Sequence, residues 1–234
     1  FTGLKRLNLK APKQAIVLRT IAEGMSIYSP HTSLDAAADG MNDWLARIVD
    51  PEPKSCVPIV PSEPALVAAL GLEANTTGMG RLVRLASPIP FSVFVDRVKR
   101  GLEVSSVRVC TPKSWGSGRS DAEGKLISTY AVCAGSGTSV FRSLKSSVDV
   151  VLSGEMGHHD VLAAADSGQA VVLCEHTNTE RGFLKAKLQP ALQLALEDTN
   201  VEVLVSSVDH DPLQPWQPFS YSLFHHWSCY DQLS

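Results

Sequence analysis

Apolar residues fall into two periods along this chain. From Leu126 onward, four short apolar runs (Leu126–Cys133, Val148–Leu152, Ala170–Cys174 and Val201–Val205) alternate with stretches of helical spacing. Runs of this length, bounded by turn residues, read as buried strands. Their alternation with helices predicts βαβ units, a largely parallel sheet and an α/β fold class. Upstream, Pro12 opens a helical pattern with Ala15, Leu18 and Ala22 on one stripe and Gly24 as its stop. Ser26–Ser29 reads as a short strand and Pro30–Ala46 as a turn into a second helix. Gly78-Met79-Gly80 leads into a strand over Arg81–Ala86. Phe94, Val98 and Leu102 form the apolar stripe of the next helix, with Asp96, Arg97, Lys99 and Arg100 on its wet side. Val107–Cys110 is a further strand. The helix over Glu180–Leu196 contains Pro190, which should kink or divide it.

Three stretches break the pattern. Asp50–Thr77 carries Pro51, Pro53, Pro58, Pro61 and Pro64 and little periodicity beyond Ala65–Leu72, which reads as a connector between two lobes. Thr111–Lys125 is polar and rich in Gly and Ser, hence an exposed loop. Gln214–Ser234 does not continue the alternation and holds Trp216, Trp227, His225 and His226 among polar residues. The last two stretches offer too little apolar surface to offset their ordering entropy, and are expected to be the least ordered.

Composition narrows the class. With 234 residues and 44% apolar positions the chain can bury a sizeable core. Lys and Arg number 21 against 24 Asp and Glu, a formal net charge of −3. This lack of basic excess argues against direct nucleic-acid binding. Five cysteines without CxxC spacing suggest a reducing compartment; the expectation is the cytoplasm, with the nucleus or mitochondrion as alternatives. No apolar run approaches the roughly 20 residues that cross a membrane. The chain begins at Phe1 with no signal-peptide pattern, so it is expected to be either processed or a fragment.

The candidate chemistry lies at the strand ends. In VVLCEHTNTERGFL, Val171–Leu184, a buried strand turns into a helix with His176 and Glu180 four residues apart. That spacing puts both side chains on one helical face, and imidazole with carboxylate is an ordinary ligand pair for zinc, iron or manganese. The carboxyl end of a strand is where open α/β sheets place their ligands. The pair alone reads sooner as a capped helix start, with Asn178 or Thr179 as cap and Glu180 complementing the dipole. A second pair, His31 and Asp35, repeats the spacing in the same setting. Glu155, His158, His159 and Asp160 crowd a third strand-to-helix turn. Gly135 and Gly137, after the Leu126–Cys133 strand, allow a tight turn before a helix that could bind an anion, although neither the dinucleotide fingerprint nor a P-loop is present.

Five blocks in order, IYSPHTSLDAAADGMNDWLA, TGMGRL, VCAGSGTSV, SGEMGHHDVLAA and CEHTNTERGFL, resemble the NGG-interacting-factor-three-like family over roughly residues 1 to 213, with wording close to its eukaryotic branch. Many bacterial members are described as type-two GTP cyclohydrolase homologues. The resemblance implies two related α/β lobes around a metal-binding cleft, often dinuclear, in hexamers built from dimers. It implies Asp35, His176 and Glu180 as ligands of divalent ions (zinc, iron or manganese), with His31 and Glu155 beside them in supporting or acid–base roles. The family's first ligand comes from a His-containing block ahead of the position of Phe1, so the first lobe reads as truncated. Residues 1–50 would be its remainder, 51–77 the connector in place of an inserted domain, 78–213 the second lobe and 214–234 a divergent tail. A chain lacking that ligand and the strands around it is expected to bind metal weakly and to associate.

Three functions follow from that resemblance. One is a metal-dependent hydrolase of nucleotide-type substrates, with cyclohydrolase-like ring opening and a phosphate held near Gly135–Gly137. Another is an interaction protein or transcriptional cofactor with a structural or vestigial metal. The third is metal storage or delivery.

Overall fold

A computed structural model describes residues 6–116 and 119–213. The tail Gln214–Ser234, with His225 and His226, lies outside the described residues. The core is a six-stranded mixed sheet in the order β1 (Ser55–Val57), β4 (Arg81–Pro90), β6 (Leu126–Ser136), β7 (Val150–Glu155), β8 (Ala170–Leu173), β5 (Arg108–Cys110). A two-stranded ribbon joins β2 (Val60–Pro61) to β3 (Gly78–Met79).

Only the middle of the sheet is parallel. β6 pairs with β7 and β7 with β8 in parallel, Tyr130 opposite Val150 and Val150 opposite Ala170. These strands are buried almost throughout, as parallel strands covered on both faces must be. β4 runs antiparallel to β6, β1 to β4, and β5 to β8. The expectation of a largely parallel sheet therefore holds for three strands and fails at the edges, because apolar runs specify burial and not direction.

Side chains alternate along the parallel strands between two cores. Tyr130, Val132, Val150, Leu152, Ala170 and Val172 belong to the larger one. It is covered by α3 (Met41–Val49), α5 (Phe91–Gly101) and α9 (Asn178–Phe183). Ala131, Cys133, Val151, Val171 and Leu173 face the smaller core, closed by α7 (Thr138–Phe141) and α8 (His158–Asp166). α3 is buried on most of its surface, where Trp44 meets Phe183 edge-on and Ala46 accepts a hydrogen bond from the Tyr130 hydroxyl.

Other sequence expectations change. Ser26–Ser29 and Val201–Val205 form no strand, since local β pattern without a neighbouring edge leaves backbone groups unpaired. The expected helix at Pro30–Ala46 is two, α2 (Thr32–Ala36) and α3, broken where Asp39 takes φ 55°. The proline-rich stretch supplies β1, β2 and α4 (Pro64–Ala69), and Thr111–Lys125 contains a 3-10 turn at Lys113–Trp115 and α6 (Arg119–Glu123). Pro190 divides its helix as expected: α9 widens into a π turn over Leu184–Leu188 before α10 (Gln189–Ala195) begins. The wider turn accommodates a ring that would otherwise meet the carbonyl four residues back. The opening helix α1 (Pro12–Ala22) buries no residue, and Ile16, Ile21, Met25, Ile27 and Tyr28 stand exposed. No helix among the described residues is long and apolar enough to cross a membrane.

Candidate metal centre

The carboxyl ends of β6, β7 and β8 meet around His176. β6 and β7 slip register between Cys133 and Ser136, and Gly135 takes φ +62° there. A Cβ on Gly135 would lie 2.8 Å from His176 Nε2 and 2.9 Å from Glu180 Oε1. One on Gly154 would lie 2.6 Å from the Gly135 carbonyl oxygen and 2.7 Å from His176 Cα. Glycine at both places lets three strand ends close on one point.

His176 is held from both sides. Its Nδ1 lies 2.8 Å from Glu155 Oε1 and its Nε2 lies 3.4 Å from Glu180 Oε1. The Glu155 hydrogen bond raises the imidazole pKa above its ordinary value, burial opposes the rise, and Glu180 adds to it. With Nδ1–H given to Glu155, the Nε2 lone pair is the one available to a ligand. Glu175, just before it, has φ 67° and pairs with Arg108 at 2.9 Å. A non-glycine residue in that region marks a backbone held by its surroundings.

Asp35 and His31 line the same cleft of about 490 Å³, together with Gly135, His176 and Glu180, over an apolar floor that includes Met41 and Met79. Asp35 Oδ1 is buried and has no hydrogen-bond partner. Burial, and then Glu180, push the Asp35 carboxyl up to about 6, while His31 and His176 pull the other way. A carboxylate oxygen buried without a partner, in a group repelled by a second carboxylate, is costly unless a cation joins them. Cys133 also lines the cleft, and burial pushes its thiol up to about 12, which keeps it protonated in the metal-free protein.

A polar frame, not anticipated from the sequence, holds these pieces. Asn42, fully buried on α3, donates from Nδ2 to the Asp35 carbonyl and accepts at Oδ1 from the Ala134 N–H. Arg81, 1% exposed, forks onto Asp43 with two 2.7 Å bonds and donates to the carbonyls of Ala37, Gly78 and Gly80. The sequence signal was a polar pair, Asn42 and Asp43, at the start of a helix whose other residues are apolar apart from Arg47.

Two expected features lie elsewhere or are spent. Asp160 pairs with Arg142 at 2.8 Å, and the exposed rings of His158 and His159 meet edge-on, away from the cleft. The Gly135 and Gly137 N–H groups already donate to Thr179 Oγ1 and Ser153 Oγ. With α7 only four residues long, this turn is no phosphate cradle.

The donor set of one imidazole and two carboxylates fits zinc, iron or manganese in type. Its closure is incomplete: among the described residues no three His, Cys, Asp or Glu side chains are gathered closely enough to hold an ion. The unpartnered Asp35 oxygen is the one feature of the cleft that a cation would satisfy.

Comparison with known proteins places the fold and the family. The fold resembles a hypothetical protein of Staphylococcus aureus at a TM-score of 0.72 and 19% identity, covering 92% of this chain and 77% of that one. A Bacillus cereus protein related to NIF3 matches at 0.70 and 18%, over 92% and 80%. In sequence, Protein NIF3 homolog of Schizosaccharomyces pombe is 38% identical over 215 residues, 91% of this chain and 72% of that protein. NGG1-interacting factor 3 of Saccharomyces cerevisiae is 38% identical over 205 residues, 86% and 66% of the two chains. The family described as Duf34/NIF3 (NGG1p interacting factor 3) matches residues 1–212, and this chain belongs to it.

Proposed function

We propose that the cleft binds a divalent metal ion through Asp35, His176 and Glu180 and that the protein is a metal-dependent hydrolase of nucleotide-type substrates. The observation that carries this reading is the half-buried Asp35 carboxylate, whose inner oxygen Oδ1 has no hydrogen-bond partner and which Glu180 destabilises. A bound divalent ion supplies Lewis acidity and charge neutralisation in such a setting. Glu155 keeps the Nδ1 proton of His176 in place and so aims Nε2 at Glu180. That contact favours a positioning role for Glu155 over proton transfer. His31, exposed at the cleft mouth, is the group suited to exchange protons with solvent. The experiment is turnover of purine nucleotides with and without zinc, iron or manganese. The reading expects metal-dependent hydrolysis that Asp35→Ala abolishes.

A second reading has its own support. The yeast relative is named for interaction with a protein partner, and the apolar side chains of α1 and Met25–Tyr28 are exposed. Large apolar patches of this kind mark association surfaces. In this reading the chain forms homo-oligomers and docks a protein partner, as a transcriptional cofactor would. Its test is partner binding that survives loss of Asp35, His176 and Glu180.

A further inference from the structure

Arg181 belongs to two clefts at once. It lines the cleft of Asp35, His176 and Glu180, where it is the one Lys or Arg among the lining residues described. It also lines a neighbouring cleft of about 500 Å³, between Glu103–Arg108 and the segment Asp209–Leu213. Its Nε donates to Asp209 Oδ2 at 2.8 Å and its Nη2 to Thr177 Oγ1 at 3.1 Å, while Nη1 has only a 3.4 Å contact with Asn178 Oδ1. The cation is largely covered, its side chain 24% exposed, whereas Asp209 is 54% exposed. Asp209 stands on residues 201–213, which form no helix or strand. Gln189 Nε2 to Val203, and Thr177 to Asp211, are other ties of that segment to the fold. A largely covered guanidinium is thus faced by a half-exposed carboxylate on a segment without helix or strand.

We propose that Arg181 is the anion-recognition residue of the cleft, and that Asp209 occupies it as a built-in carboxylate which a substrate phosphate displaces. The inference rests on the hydrolase reading for its substrate class and adds where the phosphate sits. A half-exposed ion pair of this kind contributes little and yields readily. A phosphate brings more charge and a further acceptor oxygen to the same planar fork. The glycine turn, its N–H groups already engaged, does not compete for this role.

The test is calorimetric titration of the metal-free chain with inorganic phosphate at neutral pH, beside metal retention measured on the same proteins before the metal is removed. Asp209→Asn should tighten phosphate binding about fivefold, the size expected from removing an exposed ion-pair competitor. Arg181→Gln should abolish it, the double variant should not recover it, and all should retain metal like the parent. Arg181→Lys, which keeps the charge and loses the fork, serves if Arg181→Gln does not fold and should bind phosphate more weakly than the parent. Equal phosphate binding by the parent and the Arg181 variant, or unchanged or weaker binding by Asp209→Asn, overturns the proposal. A parent chain that retains no metal, while phosphate binding follows the predicted order across the variants, supports the proposal and counts against the metal reading alone.

Discussion

Glu155 Oε1 stands 2.8 Å from His176 Nδ1, and this contact decides which nitrogen of the imidazole faces the cleft. The carboxylate also raises the imidazole pKa. A raised histidine pKa contributes stability that is present below the unfolded value near 6.5 and is lost as pH rises through the folded one. Glu155→Gln should therefore lower the His176 pKa in NMR titration and destabilise the chain at acid pH, with no change at pH 9. Loss of an orienting carboxylate should weaken metal retention about tenfold. Unchanged titration would separate Glu155 from His176.

Asp35 makes the opposite demand on the fold. Its carboxyl rises from 3.8 to about 6 on folding, through burial first and Glu180 second. Its stability contribution is complete below the unfolded value and is lost as pH climbs through about 6. Asp35→Asn should stabilise the metal-free chain at pH 7.5 by about 1–2 kcal/mol, less than the full shift implies because the group is only partly buried. The gain should vanish below pH 4. The same variant should lose any stabilisation by added metal, since an ion that binds only the folded state acts through that site. Thermal unfolding across pH, with and without zinc, measures both effects.

Gly135 allows close approach and a left-handed turn together. Gly135→Ala should cost about 1–3 kcal/mol from backbone strain. Its Cβ would also press on His176 Nε2 and Glu180 Oε1. Metal retention should fall even where denaturant titration shows the fold intact.

Arg81 and Asp43 form the buried pair behind the cleft. Removing either partner strands a buried charge, and Arg81→Met or Asp43→Asn should each cost about 3–5 kcal/mol. The double variant should cost much less than the sum, as a double-mutant cycle would record.

The sequence made the central strands, α5 and the two His–carboxylate pairs visible because burial on both faces and a spacing of four are local properties. Pairing was not local. Ser26–Ser29 and Val201–Val205 have strand-like composition and no ladder, while Ser55–Val57 gains one from β4 inside a proline-rich stretch. Asn42 and Asp43 gave no signal of their partners, since Ala134 and Arg81 lie 92 and 38 residues away. The acid cluster after β7 looked like one site. The helix geometry sends Asp160 to Arg142 and leaves Glu155 alone with His176.

The central claim is that Asp35, His176 and Glu180 hold a divalent ion. The most direct measurement is elemental analysis of the chain purified without added metal and dialysed, beside Asp35→Ala and His176→Ala prepared in the same way. The account predicts zinc, iron or manganese in the parent and its loss from both variants while they remain folded. A parent chain free of these metals after exposure to each, or variants that retain them as the parent does, would contradict it.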